Sequence, residues 1–189
     1  MMLSEALLFL VDALLQPFAA VLLFRFHAVW LRVPMRNPLG EFVLAITDFI
    51  VLPLRRRLPA LAGMDSATLL LAFVFEFVYL VAFLGLQGYQ FDTFPLPGLL
   101  AWTLVKLLKL SLYLLMASLL LEAVLSWVNP HTPLAPLLSA VNQPFVQPLR
   151  RRIPAVGNFD LSILVLLLLC QLLLIVLVGA LEQGAMRLL

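Results

Sequence analysis

Apolar residues run almost unbroken over four stretches of the chain, and in two shorter stretches between them they recur at helical spacing. The long runs extend from about Leu3 to Trp30, from Ser66 to about Leu86, from about Leu99 to Val128 and from Leu161 to Leu181, the last without a charge. Crossing a bilayer takes ~20 residues of helix at ~1.5 Å each, so each run predicts a membrane span. Pro17 predicts a kink in the first. In the first short stretch Leu39, Phe42, Val43, Ile46, Phe49 and Ile50 form a stripe, with Glu41, Thr47 and Asp48 off it. Leu134, Leu137, Leu138, Val141 and Phe145 form the stripe of the second. Asn37 and Thr132 suit the N-cap position, and Pro38 and Pro133 the first helical position. Each segment is too short to span. The pattern therefore predicts a short interfacial amphipathic helix with its apolar stripe facing lipid, the alternative being a helix packed on the spans.

The chain repeats itself. Pro53-Leu54-Arg55-Arg56-Arg57-Leu58-Pro59-Ala60 returns as Pro148-Leu149-Arg150-Arg151-Arg152-Ile153-Pro154-Ala155, displaced by 95 positions with seven of eight residues identical. The same displacement carries Asp65 onto Asp160 and Glu76 onto Gln171, and Trp30 meets Trp127 once two residues are gapped. The expected fold is an all-α integral membrane protein: four transmembrane helices in two parallel tandem repeats, residues 1–95 and 96–189. Each unit reads as span, surface helix, arginine turn, span. Pro53, Pro59, Pro148 and Pro154 are expected to end regular helix and hold the arginines in a rigid turn. Asp65 and Asp160 are expected to cap the following spans, with pairing to the nearby arginines as the second option.

Composition narrows the class further. The 189 residues are 64% hydrophobic and 12% charged, too apolar for a soluble fold of this size to hide. The net charge of +2 matters less than its placement. Arg32, Arg36 and the first arginine triplet lie between the first two spans, the second triplet lies between the last two, and the central connection carries Asp92 and no basic residue. The positive-inside rule places both triplets in the cytoplasm and both termini outside, with Lys106 and Arg187 on the less favoured side. The N-terminus lacks the basic start and small-residue cleavage site of a secretory signal, so the first run is expected to be retained as a span.

The doubled proline-leucine-arginine-arginine motif, followed by proline-alanine, a glycine and an aspartate, stands as Pro53 to Asp65 and again as Pro148 to Asp160. With Arg25 and Trp30 or Trp127 upstream, it resembles the YggT family of bacterial inner-membrane proteins, which has relatives in chloroplasts. The chain departs from the family pattern where Asp48-Phe49 and Gln143-Pro144 precede the two motifs, and where Glu122 stands opposite Arg25. The resemblance implies a non-catalytic inner-membrane protein linked to osmotic tolerance, with chloroplast relatives linked to cytochrome assembly.

Enzyme chemistry finds little to work with. His27 and His131 occupy non-equivalent places without neighbouring ligands, and the single cysteine, Cys170, lies in an apolar run. No metal and no cofactor is expected. Intramembrane polar residues carry more information, because each is costly in lipid: Asp12, Arg25, Glu76, Lys109, Glu122 and Gln171. Glu76 falls near the bilayer centre, ~16 Å of helical rise beyond Asp65. Either it fixes helix packing or it belongs to an ion site. The two-residue gap places Asp12 against Lys109 and Arg25 against Glu122, so interhelical pairing of at least one couple is expected, the alternative for Arg25 being to snorkel to the headgroups. The leading expectation is a scaffold or stress-adaptation protein. Its arginines Arg55, Arg56, Arg57, Arg150, Arg151 and Arg152 would engage anionic lipid or other membrane proteins, and no nucleic acid. A small channel or transporter with Glu76 in its pathway, a cytochrome-assembly factor and a homo-oligomer remain alternatives.

Overall fold

The computed structural model describes residues 2–58, 63–89, 95–129, 131–153 and 160–189. Helix α1 spans Met2–Trp30, α2 Pro38–Arg55, α3 Ser66–Leu86, α4 Leu96–Val128, α5 Ala135–Arg150, α6 Leu161–Leu173 and α7 Gly179–Met186. A π-helical segment, Leu174–Val178, joins α6 to α7 without a break. There the Gly179 N–H reaches the carbonyl of Leu174, five residues back. Four helices are long and apolar enough to cross a membrane: α1, α3, α4 and the continuous Leu161–Met186. The outward faces of these helices carry Phe9 and Leu14 on α1, Val74 and Val78 on α3, Leu104 and Leu120 on α4, and Leu164, Leu168 and Leu172 on α6, all exposed. Water would not tolerate so large an apolar surface; lipid does. The chain is a multi-pass membrane protein.

Side-chain contacts fix the directions. Phe18 packs on Phe75 and Gln16 bonds Glu76, so α1 and α3 run antiparallel. Leu80 and Leu84 meet Leu99 and Trp102, so α3 and α4 do too. Leu119 of α4 meets Ile163 of α6, and Lys109 meets Glu182 of α7. Helices α1 and α4 therefore descend toward one end of the bundle, and α3 and α6 start from that end. Both arginine corners lie there.

The surface helices differ from expectation in three ways. First, α2 begins as expected, with Pro38 in its first turn and the Asn37 side chain accepting from the Gly40 N–H, but α5 starts at Ala135 behind Leu134, and Thr132 does not cap it with its side chain. A Cβ at Gly40 would lie 2.2 Å from the Met35 carbonyl oxygen, so only glycine permits that entry. Its equivalent is Ala135, where the same close approach is closed and the helix begins later. Second, Pro53 and Pro148 do not end their helices; each sits inside the last turn, and helix continues through Arg55 and Arg150. Proline's φ suits a helix, and one backbone bond lost near a helix end is tolerated. Third, α2 turns Gly40, Val43, Thr47 and Val51 inward and leaves Phe42, Phe49 and Leu52 exposed. Thr47, expected off the apolar stripe, is fully buried.

Candidate functional site

Each arginine corner is built twice by the same local chemistry. Arg55 closes α2, and its guanidinium grips Asp65 with two bonds, Nε to Oδ1 at 3.3 Å and Nη2 to Oδ2 at 2.5 Å. Asp65 meanwhile caps α3, accepting from the Thr68 N–H at 3.4 Å and the Thr68 hydroxyl at 2.5 Å. In the second corner Arg150 Nε donates to Asp160 Oδ2 at 2.6 Å, and Asp160 Oδ1 accepts from the Ser162 N–H at 3.0 Å. Capping and pairing coexist in both. Burial alone would push the Asp65 carboxyl up, but the Thr68 hydroxyl and Arg55 outweigh it and hold it below the usual carboxylate range. Asp160 behaves likewise: Arg150 and the Ser162 N–H overcome its burial. Pro59 and Pro154 lie outside the described residues.

One arginine of each triplet is thereby consumed within the protein. Arg56, Arg57, Arg151 and Arg152 are exposed and make no salt bridge among the described residues. Beside the first pair, a cavity of about 490 Å³ is lined by Ile50, Pro53, Leu54, Leu71, Arg56 and Arg57. Its walls are apolar, and its charge comes from the two guanidinium groups.

Within the spans, the expected pairings are replaced by others. Arg25 does not meet Glu122; its Nη1 donates to Thr47 Oγ1 at 2.6 Å and to Asp48 Oδ1 at 2.7 Å on α2. Glu122 instead accepts from Asn142 Nδ2 at 2.7 Å on α5, and the Ser118 hydroxyl donates to Asn142 Oδ1 at 2.5 Å. Thr47 and Asn142 are themselves related by the 95-residue displacement. The equivalent residues of α1 and α4 thus each bond the surface helix of their own repeat, with donor and acceptor exchanged. Parallel repeats put Arg25 and Glu122 at one depth, but the local surface helix is nearer than the other span.

Asp12 and Lys109 likewise part company. Asp12 lies beside the Tyr79 hydroxyl of α3. Lys109 Nζ pairs with Glu182 Oε1 at 2.8 Å. Glu76 is almost wholly buried between the repeats, accepting from Gln16 Nε2 at 3.2 Å, with Lys106 Nζ 3.5 Å from its Oε1. Lys106 also lies over the Tyr79 ring, 4.3 Å from its centroid. A cavity of about 190 Å³ opens there, lined by Gln16, Glu76, Tyr79, Lys106, Lys109, Leu110 and Tyr113. Gln171, the counterpart of Glu76, faces outward and lines none of it. The sequence reading missed Gln16, Tyr79 and Glu182 as partners, and treated Lys106 only as a topological exception. The Thr47–Asn142 equivalence was the one signal available for the surface-helix contacts.

A sequence model of the CCB3/YggT family matches residues 4–87 and 101–181. The chain belongs to the CCB3/YggT family. An Escherichia coli K12 relative, "Uncharacterized protein YggT", is 34% identical over 166 residues, covering 87% of this chain and 85% of the relative. A Vibrio alginolyticus protein named for the proC 3' region is 34% identical over 164 residues, covering 84% and 85%. An uncharacterised Pseudomonas aeruginosa protein is 30% identical over 162 residues, covering 85% and 82%. No solved structure matches the chain.

Proposed function

We propose that the protein is a non-catalytic scaffold of the inner membrane whose two arginine corners hold anionic lipid headgroups, and through them partner membrane proteins, at the cytoplasmic face. The observation that carries this reading is the division of labour within each triplet. The first arginine locks the corner onto its capping aspartate, and the next two project from a fixed platform. Near an acidic leaflet each of these arginines contributes about 1 kcal/mol of attraction, screened by salt. The apolar wall beside Arg56 and Arg57 suits an acyl chain beneath a phosphate. Exposed Phe42, Phe49 and Leu52 give α2 a second apolar side to sink into the interface. A role in osmotic tolerance follows from the family resemblance and rests on growth of corner variants after osmotic upshift.

Replacing Arg56, Arg57, Arg151 and Arg152 with glutamine, with Arg55 and Arg150 left in place, tests the reading. The expected result is a severalfold loss of copurifying cardiolipin and phosphatidylglycerol by mass spectrometry, with the protein still folded. Unchanged lipid retention would leave the arginines as topological anchors only. Reporters fused after Leu189 are expected to read as external, and one inserted near Arg36 as cytoplasmic. The opposite pattern would put the corners on the wrong leaflet.

A further inference from the structure

The junction between the two repeats has a matching half left bare on each outer side of the chain. In the junction, Glu76, Leu80 and Leu84 of α3 meet Leu99, Trp102 and Lys106 of α4, and all but Lys106 are buried. The 95-residue displacement carries the α3 half onto Gln171, Ile175 and Gly179 of the continuous last span. The gapped alignment carries the α4 half onto Met2, Glu5 and Phe9 of α1. Nothing in the chain covers these counterparts. Leu80 is fully buried, whereas Ile175 is 67% exposed, and Gln171, Met2, Glu5 and Phe9 are exposed as well. A Cβ added at Gly179 would have within 4 Å only the Leu174 carbonyl oxygen of the same span, at 3.9 Å. The polar groups follow the same rule. Among the described residues away from the helix ends, the spans expose one carboxylate, Asp12, and one amide, Gln171, to a hydrocarbon layer that offers neither donor nor acceptor. Their counterparts in the junction, Lys109 and Glu76, line a single cavity.

We infer that copies of this chain associate side by side in the membrane by repeating that junction between molecules: the last span of one copy packs on α1 of the next, and its Gln171 amide donates to the next copy's Asp12. The directions allow it. Helices α3 and α4 run antiparallel, and so do α6 and α1, so copies inserted with one orientation present the two bare halves to each other at matching depth. Acyl chains cover the apolar part of these faces as well as protein does, but only a partner with complementary polar groups satisfies Asp12 and Gln171. The junction inside the chain shows that surfaces of this kind fit one another, which points to a second copy. A face that waits in lipid for its partner holds Gln171 and Phe9 at its centre, where the joined face holds Glu76 and Lys106. An amide and a ring cost less there than two charges. The contact is head-to-tail, so each copy offers one half to each neighbour and the assembly closes as a ring in the membrane plane.

The test uses the full chain in its own membrane, with Cys170→Ala to remove the natural thiol. Two differently tagged chains are coexpressed, one with Glu5→Cys and the other with Ile175→Cys, both at exposed positions, and a short bifunctional thiol reagent is added. The expected product joins the two tags. The proposal is overturned if no product joins two chains, or if the only adducts contain another protein. It is also overturned if Ile175→Cys chains link only to one another, which marks a symmetric contact. The polar pair is read separately, by energy transfer between labelled copies diluted in lipid vesicles. Asp12→Leu and Gln171→Leu are each expected to weaken association about threefold, the usual worth of one hydrogen bond between membrane helices. The double variant is expected to lose no more than the worse single one. Additive losses, or none, overturn the pairing of Asp12 with Gln171. Energy transfer at the level of random collision in the natural protein overturns the contact itself.

Discussion

The two repeats share a frame and differ in what they place inside it. Their corners are near copies: arginine to aspartate across ten residues, aspartate as cap, and two arginines with no ion pair among the described residues. Their interiors are not. The first repeat binds its surface helix through a buried arginine, and the second does so through a glutamate and an amide. The first buries Glu76, whereas the second turns Gln171 outward, three residues before a π-helical segment that α3 lacks. The corner is constrained by its position, because any chain that turns at a headgroup surface and re-enters lipid must cap its helix and anchor its charge. Interior positions are constrained only by the neighbours each meets, so duplicated residues there drift to different partners.

That comparison breaks first at Arg25. Its guanidinium is 2% exposed, so Arg25→Ala leaves Thr47 and Asp48 of α2 without the donor they share. Breaking a buried pair costs about 3–5 kcal/mol, and the lower end applies because Asp48 is 40% exposed. Glu122→Ala leaves one buried amide unsatisfied, a loss of about 1–3 kcal/mol. Denaturation in mixed micelles reads the order of the two. If the repeats are equivalent in geometry, Arg25→Glu joined to Thr47→Asn rebuilds the second repeat's contact in the first and recovers part of the loss. Swapping Arg25→Glu with Glu122→Arg brings no rescue, because the two side chains do not meet.

The corners give the next largest effect. Asp65→Ala removes a cap and a bidentate ion pair whose carboxylate is 2% exposed, and is expected to cost about 2–3 kcal/mol. Asp160, 28% exposed, is expected to cost about 1–2 kcal/mol in the same substitution. Equal losses would mean that the difference in burial between the corners has no energetic consequence.

Acid gives the smallest and most graded readout. Both aspartates are held below the usual carboxylate range in the folded protein, so the unfolded chain binds protons first as pH falls. Their contribution is fully present above the ordinary carboxylate value of ~4 and is lost as pH drops through the depressed folded values. Asp65→Asn keeps a capping side chain and removes the titration, so its Tm falls less between pH 5 and pH 3 than that of the natural protein. An unaltered acid slope would mean that Arg55 does not hold the Asp65 charge.

The spans, the repeat and the corner residues were legible in the chain itself. Apolar continuity over about twenty residues leaves few alternatives to a membrane helix, and capping depends on the few residues at each helix start. Asn37, Asp65 and Asp160 therefore cap their helices where expected. Only the tertiary structure decided which side of each helix faces inward. In a soluble helix, polar residues mark the outer face; in a membrane span, lipid and protein interior are equally apolar, so that signal disappears. Thr47 buried, Gln171 exposed, Arg25 bound to Asp48 and Lys109 bound to Glu182 all follow from rotations that neighbouring helices impose. Polar side chains in lipid bond whichever partner packing brings within reach, and packing here is set by shape, which a linear pattern of apolar residues does not encode.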